Sequence, residues 1–306
     1  MDYEGQICRA PMERSSFMLP VMVGCSYNRC RFCNLFRHLN YRELPMEQIE
    51  GELARVKRVG GSPKKIFLGD GNAFGLKTGR LVQILERIHK YFPACECINM
   101  DATVTSVLKK TEKELELLYK SGVRHLYLGI ESGLDDVLVF MEKDHNRKQA
   151  YEAIDKLKNA GLVYDAHIMT GVAGRGRGQE NAEALADFLN RTEPSCVVNF
   201  SMFLHKEVPL YKYIEDGVYF PADELESLKE ERTLLKLLKA EVFYDGLHDF
   251  IEVRVRGKMP EDKDKLVEKL DKVIGEYEDK EPLYAYVQGE CPKLERCDNS
   301  KKVWDI

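Results

Sequence analysis

The sequence contains no apolar segment of the kind that marks membrane or secreted proteins. Its apolar runs fall short of the ~18 residues that a membrane-spanning helix needs. The first sixteen residues, MDYEGQICRAPMERSS, have no apolar core of signal-peptide length. There is no internal repeat beyond an alternation of strands and helices, and no low-complexity tract. We therefore expect a cytoplasmic protein that has no membrane partner.

The sequence also lacks an excess of basic residues. Its formal net charge is −5 over 306 residues, so the composition contains no strong signal for nucleic-acid binding. Hydrophobic residues make up 44% and charged residues 32% of the chain, as in ordinary globular proteins. The length predicts about two domains, or one domain if the fold is an α/β barrel.

A complete disulfide framework is disfavoured, because the nine cysteines are odd in number and no secretory signal accompanies them. Three of them, Cys25, Cys30 and Cys33, are separated by four and then two residues, a spacing typical of soft-metal ligands. A closed zinc site needs four protein ligands, whereas a [4Fe–4S] cluster held by three cysteines keeps one iron open. The alternative is a zinc site that takes its fourth ligand from His38 or Cys8.

Residues 24–33, GCSYNRCRFC, resemble the signature of the radical S-adenosylmethionine (radical SAM) superfamily. That signature has three closely spaced cysteines with an aromatic residue just before the last, which is Phe32 here. Its commonest form has three residues between the first two cysteines, whereas this chain has four. The longer spacing resembles a subgroup with an Elp3/MiaB/NifB-like core, often labelled after the oxygen-independent coproporphyrinogen oxidase. The resemblance implies that Cys25, Cys30 and Cys33 bind the cluster and that Phe32 belongs to the cofactor site.

Strands and helices alternate along the chain. The predicted strands are residues 17–23, 65–69, 96–100, 125–130, 163–170 and 196–202, and a helix is predicted over 224–240. Ile49 and Leu53 have the spacing of one helix face, and Thr111 and Glu114 have the spacing of a capping box. The alternation of residues 252–256 predicts a further strand. Six strand–helix pairs predict an α/β fold with parallel strands joined by right-handed crossovers. The pattern alone does not distinguish an open doubly wound sheet from a barrel. The resemblance implies a partial (β/α)6 TIM-like barrel over residues 1–240. A small C-terminal extension, residues 241–306, would then close the barrel or cover its substrate side.

In such folds the functional residues follow the strands at their C-terminal ends. The segment Gly69-Asp70-Gly71-Asn72 follows the second strand. Its glycines allow the backbone to approach a ligand closely, and Asp70 offers a carboxylate to an ammonium group. The resembling family has a Gly-Gly-Glu-like motif here, which binds the amino group of S-adenosylmethionine. This chain departs from that motif, and the alternative is an ordinary Gly-Asp-Gly turn.

Glu131 and Ser132 follow the fourth strand. A carboxylate directly after an apolar strand is costly to bury alone, and it can accept hydrogen bonds from ribose hydroxyls. A Gly-Ile-Glu-Ser-Gly sequence is frequent here in the resembling family, which implies that Glu131 and Ser132 bind S-adenosylmethionine. The alternative is that Glu131 caps a helix or pairs with Lys143.

Two later segments are further candidates. The loop after the fifth strand contains Arg175 and Arg177 among several glycines, a combination that suits a carboxylate or a phosphate. The resemblance implies that this loop contacts S-adenosylmethionine. We name Arg175 as the contact, although the pattern does not choose between the two arginines. The resemblance also implies backbone contacts to adenine near Asn199 on the sixth strand. The alternatives are a solvated loop and a plain core strand.

The C-terminal part contains weaker candidates. The resembling subgroup often has a histidine shortly before a Gly-x-x-Pro-x-Asp-Lys stretch, which implies a catalytic, substrate-side role for His248. That motif is incomplete, because the asparagine expected three residues later is Ile251. The alternative is a structural or solvated histidine. Cys291 and Cys297 have a spacing that allows, but does not require, half of a second cluster site.

The resemblance as a whole implies a radical SAM enzyme. A reduced cluster would donate one electron to S-adenosylmethionine, and the resulting deoxyadenosyl radical would abstract hydrogen from a substrate. The implied partners are a small or medium-sized substrate and an electron donor such as flavodoxin or ferredoxin. An oxygen-labile cluster also indicates an anaerobic setting. The alternatives are a non-catalytic zinc- or Fe–S-binding regulatory protein and a non-radical S-adenosylmethionine transferase.

Overall fold

The computed structural model describes residues 3–5, 8–248, 250–251 and 253–287. Cys291 and Cys297 lie outside these residues, so a second cluster site stays a prediction. The chain divides into two compact units. Unit 1 comprises Met1–Arg29, Leu35–Gly129 and Asp144–Ala166. Unit 2 comprises Cys30–Asn34, Ile130–Lys143 and His167–Ile306.

Strands and helices alternate through most of the described chain. The strands are β1 (Phe17–Pro20), β2 (Met22–Val23), β3 (Arg42–Glu43), β4 (Lys65–Gly69), β5 (Cys97–Ala102), β6 (Val123–Glu131), β7 (Val163–Thr170), β8 (Cys196–Ser201), β9 (Leu204–His205), β10 (Val242–His248), β11 (Val253–Met259) and β12 (Tyr286–Val287). The α-helices are α1 (Met46–Arg58), α2 (Thr78–Tyr91), α3 (Val104–Leu108), α4 (Glu112–Lys120), α5 (Asp135–Phe140), α6 (Arg147–Asn159), α7 (Gly178–Thr192), α8 (Pro209–Glu215), α9 (Glu224–Leu237) and α10 (Lys263–Tyr277).

Eight strands form one sheet in the order β1-β4-β5-β6-β7-β8-β10-β11. The pairs β1–β4, β4–β5, β5–β6 and β8–β10 are parallel, and β10–β11 is antiparallel. Parallel neighbours require a crossover, and helices such as α2 and α4 supply it in unit 1. The predicted alternation of strand and helix is therefore confirmed.

The predicted strand over residues 17–23 is divided in two. β1 ends at Pro20, which lies opposite Gly69 of β4, whereas β2 pairs antiparallel with β3. The Val21 N–H still donates to the Gly69 carbonyl, so the N–H that Pro20 lacks would face the open edge of β1, where proline is tolerated. The Leu44 N–H then donates to the Val21 carbonyl at 3.0 Å, so the chain takes a new partner after Pro20.

The helices of unit 1 bury the faces that their spacing predicts. α1 begins directly after Pro45 and buries Ile49 and Leu53. The capping box predicted at Thr111 is present, because the Glu114 carboxylate accepts from the Thr111 N–H at 2.8 Å and the Thr111 hydroxyl accepts from the Glu114 N–H at 3.3 Å. β4 is entirely apolar and buried over Ile66, Phe67 and Leu68, as its five-residue run predicts.

Unit 2 contains strands that the sequence pattern missed. β10 was not predicted, and the strand predicted over 252–256 is longer, namely β11. Both strands belong to the eight-stranded sheet. The boundary between a core over 1–240 and an extension over 241–306 stays a prediction. Among the helices of the described residues, none combines the length and apolarity that crossing a membrane requires.

Candidate functional site

Gly71 brings the loop after β4 into contact with the cysteine loop inside unit 1. Its φ is +49°, in the left-handed region that favours glycine. A Cβ atom at Gly71 would lie 2.8 Å from Cys25 Cα and 2.7 Å from the Gly24 carbonyl oxygen. Only glycine fits both the backbone conformation and this close approach. The predicted motif at residues 69–72 therefore lies directly against Cys25.

Asp70 is a buried carboxyl group in that motif, and it is 1% exposed. Burial raises the pKa of Asp70 to about 7, against the opposing effect of hydrogen bonds from the backbone of Cys8 and Gly71. The Tyr3 hydroxyl donates a further hydrogen bond to Asp70 Oδ2. On the neighbouring strand, burial and then the charge of Asp70 raise the pKa of Asp101 well above its usual value. Two such carboxyl groups favour a cationic ligand, because a cation stabilises both charged forms.

Asn72 joins three segments of unit 1. Its Nδ2 donates to Ser26 Oγ of the cysteine loop at 3.0 Å and to Thr103 Oγ1 at 3.3 Å. Its Oδ1 accepts from the Thr103 N–H at 3.0 Å. Both N–H groups of the Asn72 amide are thus engaged with protein atoms. The side chain fixes the position of the cysteine loop relative to the ends of β4 and β5.

Within unit 2, Arg31 anchors the segment that carries Cys30 and Cys33. Its Nη2 forms an ion pair with Glu142 Oε1 at 3.0 Å, and its guanidinium carbon lies 4.2 Å from the centre of the Tyr213 ring. Its backbone N–H donates to the Met141 carbonyl at 3.0 Å. Phe32, the aromatic residue of the cysteine motif, packs against a buried apolar cluster of the same unit.

Glu131 and Phe32 are connected through Lys143. Lys143 Nζ lies 3.1 Å from Glu131 Oε1 and 5.9 Å from the centre of the Phe32 ring. Glu131 has a φ of +61°, in the left-handed region that a non-glycine residue rarely adopts. This backbone conformation and the ion pair with Lys143 together fix the direction of its side chain. The pairing of Glu131 with Lys143, stated above as an alternative, is present. A contact of Glu131 with S-adenosylmethionine stays a prediction.

Ser132 belongs to a buried hydrogen-bond network that ends on α9. The Ser132 hydroxyl donates to Asn181 Oδ1 at 2.6 Å, and Asn181 Nδ2 donates to Glu230 Oε1 at 2.7 Å. Glu230 Oε2 accepts from the Gly171 N–H at 2.8 Å. Burial raises the pKa of Glu230 to about 8 despite these hydrogen bonds. The network joins the end of β6 to the glycine-rich loop after β7.

A neighbouring network contains Asn199 and His248. Glu231 of α9 accepts from Asn199 Nδ2 at 3.1 Å and from the Tyr244 hydroxyl at 2.8 Å, and its other oxygen lies 2.9 Å from His248 Nε2. His248 Nδ1 lies 3.3 Å from Glu224 Oε2. Burial alone would lower the pKa of His248, but the two glutamates raise it to about 10. His248 is therefore a buried imidazolium held between two carboxylates.

The two arginines of the glycine-rich loop differ in their partners. Arg177 forms ion pairs with Asp136 at 2.6 Å and with Glu180 at 2.9 Å. Arg175 donates to the Tyr284 hydroxyl at 2.6 Å, a neutral partner. Arg177 is therefore paired with two carboxylates, whereas Arg175 hydrogen-bonds to a neutral hydroxyl and its charge acts on the nearby Glu226.

Sequence reasoning missed the glutamates of α9, which connect three of its candidates. In unit 2, Asn199 and His248 both contact Glu231. Ser132 is linked to Glu230 through Asn181. In unit 1 it brings the motif at residues 69–72 against the cysteine loop. A signal for α9 was present, because Glu224 and Glu231 occupy helix positions i and i+7 that share a face with buried leucines.

The donor set of the cysteine loop suits an iron–sulfur cluster. Cys25, Cys30 and Cys33 are half-buried, so a cluster can reach their thiols. Thiolates are the ligands that such clusters require. No three histidine, cysteine, aspartate or glutamate side chains within the described ranges are grouped closely enough to hold a single metal ion. The fit therefore rests on ligand type, on exposure and on the anchoring of Cys25 by Gly71.

Comparison with protein families identifies the class. The model of the radical SAM superfamily matches residues 19–189, which is more than half of the chain. The chain belongs to the radical SAM superfamily. It is therefore an enzyme of the kind that the resemblance implied, and its cofactors are a [4Fe–4S] cluster and S-adenosylmethionine.

Individual relatives are distant. The heme chaperone HemW of Buchnera aphidicola subsp. Schizaphis graminum is 21% identical over 206 residues, which cover 63% of this chain and 52% of that protein. The chain spans about half the length of the curated relatives that it matches. Their activities, substrates and partners therefore do not transfer to it as findings.

Solved structures confirm the predicted fold class. The archaeal Elp3 of Methanocaldococcus infernus has a TM-score of 0.54 at 17% identity, covering 86% of this chain and 63% of that one. The radical SAM methyltransferase TsrM from Kitasatospora setae, with cobalamin and a [4Fe–4S] cluster bound, has a TM-score of 0.55 at 14% identity, covering 66% and 40%. Identities this low show the fold alone, which is the predicted α/β fold of TIM-like barrel type.

Proposed function

We propose that this enzyme cleaves S-adenosylmethionine reductively and uses the product to abstract hydrogen from a substrate. The observation that carries the proposal is the contact between Gly71 and Cys25. It places a buried carboxyl group, Asp70, on a loop that packs directly against the cysteine loop. S-adenosylmethionine at the cluster would present its amino group, and a carboxylate beside the cysteine ligands can accept hydrogen bonds from that group.

In this proposal Cys25, Cys30 and Cys33 hold the cluster and leave one iron for S-adenosylmethionine. When bound and reduced, the cluster supplies the electron that breaks a carbon–sulfur bond of the sulfonium, yielding methionine and a deoxyadenosyl radical. The protein then contributes binding and orientation. Gly71 allows the loop after β4 to approach Cys25, and Arg31 anchors the segment of Cys30 and Cys33.

Other side chains bind S-adenosylmethionine in this proposal. Asp70 accepts hydrogen bonds from its amino group, and Arg175 attracts its carboxylate. Arg175 is preferred over Arg177 because Arg177 already pairs with Asp136 and Glu180. Glu131 accepts from the ribose hydroxyls while Lys143 holds one of its oxygens.

The remaining candidates contact other protein side chains. Ser132 and Asn199 hydrogen-bond to Asn181 and Glu231, so any contact of Asn199 with adenine uses its backbone. Both ring nitrogens of His248 lie next to carboxylates, and its side chain is buried. These contacts favour the structural alternative for His248, and its substrate-side role stays a prediction.

Metal analysis of cysteine variants tests the cluster assignment. After anaerobic reconstitution, wild-type protein should bind about four irons per chain, and Cys33→Ala should lose most of them because a cluster ligand is gone. Cys97→Ala is the matched control, since Cys97 is half-buried but lies on β5 outside the loop. Iron and absorbance at the cluster's visible band are the readouts. Full iron in Cys33→Ala, or one zinc per chain that depends on His38 or Cys8, would contradict the proposal.

We also propose a class of substrate and an electron donor. The substrate is small or medium-sized, and the electron comes from a donor such as flavodoxin or ferredoxin. The nine cysteines suit a cytoplasmic location, and an oxygen-labile cluster suits an anaerobic setting.

A second candidate function is the handling of heme. Its support is the match to the heme chaperone HemW over 63% of this chain. Titration of the protein with hemin distinguishes the two. A shifted Soret band that saturates at one heme per chain supports heme handling. If the band does not shift and S-adenosylmethionine is cleaved, only the first proposal is supported.

A further inference from the structure

Unit 1 contains a cavity of about 600 Å³ that the proposed cofactor site does not account for. It extends from Ser26 and Asn72, beside the cysteine loop, to the first residues of α2 and the turn before α4. We call it the lysine pocket, because Lys77, Lys109 and Lys110 line its outer end. Its volume lies within the roughly 300–1,000 Å³ typical of sites for small ligands.

Lys110 is a buried cation in this pocket. Its side chain is 6% exposed, and its Nζ donates to the Leu76 carbonyl at 2.9 Å and to Thr78 Oγ1 at 3.4 Å. Across the described residues, no carboxylate oxygen lies within the 4.0 Å of Lys110 Nζ that an ion pair requires. An ammonium group buried among neutral partners is costly. Consistent with this, burial lowers the pKa of Lys110, against the smaller opposing effect of the Glu114 charge.

The one acidic residue that lines the pocket is already used. The Glu114 carboxylate accepts from the Thr111 N–H at 2.8 Å and from the Thr111 hydroxyl at 2.9 Å, which caps α4. These bonds, together with one from Thr78, lower the pKa of Glu114 to about 2. Three lysines against this single glutamate leave the lining with an excess of positive charge.

Neutral donors complete the outer end. α2 starts after Lys77 without a side-chain cap, so the N–H groups of Thr78 and Gly79 have no partner within the helix. No atom lies within 4 Å of a Cβ position at Gly79, so the backbone there is accessible. The hydroxyls of Thr78 and Thr105 also line the pocket, but they already donate to the carboxylates of Glu114 and Asp144. The donors left for a ligand are the backbone N–H groups at the start of α2. Such donors favour a group with several anionic oxygens.

We propose that the lysine pocket binds the phosphate group of a phosphomonoester substrate, with Lys110 as its central cation. Phosphate fits better than carboxylate, because lysines act as point charges and the excess positive charge matches a dianion. The cavity is larger than a phosphate ion, so the organic part of the substrate extends toward Asn72 and the cysteine loop. This inference rests on the proposed function, because it names the substrate class of that site.

Calorimetric titration of cluster-loaded protein tests the pocket directly. The probes are inorganic phosphate and glycerol 3-phosphate, compared with acetate and a dinucleotide phosphodiester at constant ionic strength. Phosphate and glycerol 3-phosphate should bind and compete, while acetate and the phosphodiester should bind much more weakly. Lys110→Met should weaken phosphate binding roughly 10- to 100-fold, because a charge-assisted hydrogen bond is lost.

Controls keep the result interpretable. Lys113→Met removes an exposed lysine of α4 outside the pocket and should bind phosphate like the wild type. The double variant Lys77→Gln/Lys109→Gln alters exposed side chains only, and should weaken binding even if Lys110→Met does not fold. Unchanged phosphate binding in folded variants, or tighter binding of acetate or the phosphodiester, would overturn the inference.

These titrations omit S-adenosylmethionine and reductant, so they are independent of the cleavage assay. Phosphate binding without cleavage of S-adenosylmethionine would refute the proposed function but not the pocket. Cleavage of S-adenosylmethionine without phosphate binding would refute the phosphate pocket but not the proposed function.

Discussion

At the scale of single residues, the proposed cofactor site depends on the groups that follow β4. Gly71 approaches Cys25 where a side chain would not fit, and Asp70 is buried beside it with a pKa of about 7. When the pH is close to its pKa, a buried carboxyl group is only partly ionised, and a bound cation shifts it toward the charged form. This residue therefore predicts how the binding of S-adenosylmethionine depends on pH.

We expect S-adenosylmethionine to displace a proton from Asp70. At pH 7 about half of the Asp70 carboxyls carry a proton, so binding an ammonium should release up to about 0.5 proton and tighten as pH rises from 6 to 8. Calorimetry in buffers of different ionisation enthalpy measures that release. Asp70→Asn should abolish the release and weaken binding roughly 10-fold.

Asp155→Asn serves as the control, because Asp155 is an exposed acid of unit 1 on α6. It should retain the proton release of the wild type. If Asp70→Asn also retains it, Asp70 does not bind the amino group.

At the scale of elements, α9 supports two neighbouring strands of the sheet, β8 and β10. Its buried Glu231 accepts hydrogen bonds from Asn199 and Tyr244 and lies 2.9 Å from His248 Nε2. Glu231→Gln would place an amide N–H₂ among these donors and remove a counter-ion of His248. We expect a loss of about 2–4 kcal/mol in the free energy of unfolding, measured by urea titration.

An exposed glutamate provides the comparison for this prediction. Glu276→Gln on α10 should lie within about 0.5 kcal/mol of the wild type. If Glu231→Gln is equally mild, the network around His248 contributes little to stability.

The elements also show what sequence reasoning can reach. The strands 65–69 and 163–170 and the capping box at Thr111 were predicted with the bounds that the structure has, because each depends on local pattern alone. The pairing of β2 with β3 depends on residues about twenty positions away, and the short helix α3 has too few residues for a periodic signal. Neither is visible in a local pattern.

Only part of the candidate site could be predicted from the sequence. The cysteines and the motif at residues 69–72 stand out by spacing and by position after a strand. The roles of Glu230 and Glu231 did not stand out, because the sequence of α9 is rich in charge and reads as a solvated helix. Glutamates on a face shared with leucines are the signal that would have identified them.

At the scale of the whole molecule, the family match and the proposed chemistry answer different questions. The match to residues 19–189 establishes the superfamily, and structures such as Elp3 of Methanocaldococcus infernus share the fold. Neither names a substrate, because one fold supports many reactions. The cysteine loop is part of the shared signature, so we expect the lysine pocket to be where this chain recognises its own substrate.

The most direct measurement is the formation of deoxyadenosine. Protein reconstituted without oxygen, reduced with dithionite and supplied with S-adenosylmethionine should form deoxyadenosine and methionine in equal amounts. Formation should require the cluster and disappear in Cys33→Ala, while Cys97→Ala behaves like the wild type. Protein that takes up zinc instead of iron, or that converts S-adenosylmethionine only to adenosylhomocysteine, would contradict the assignment of Cys25, Cys30 and Cys33.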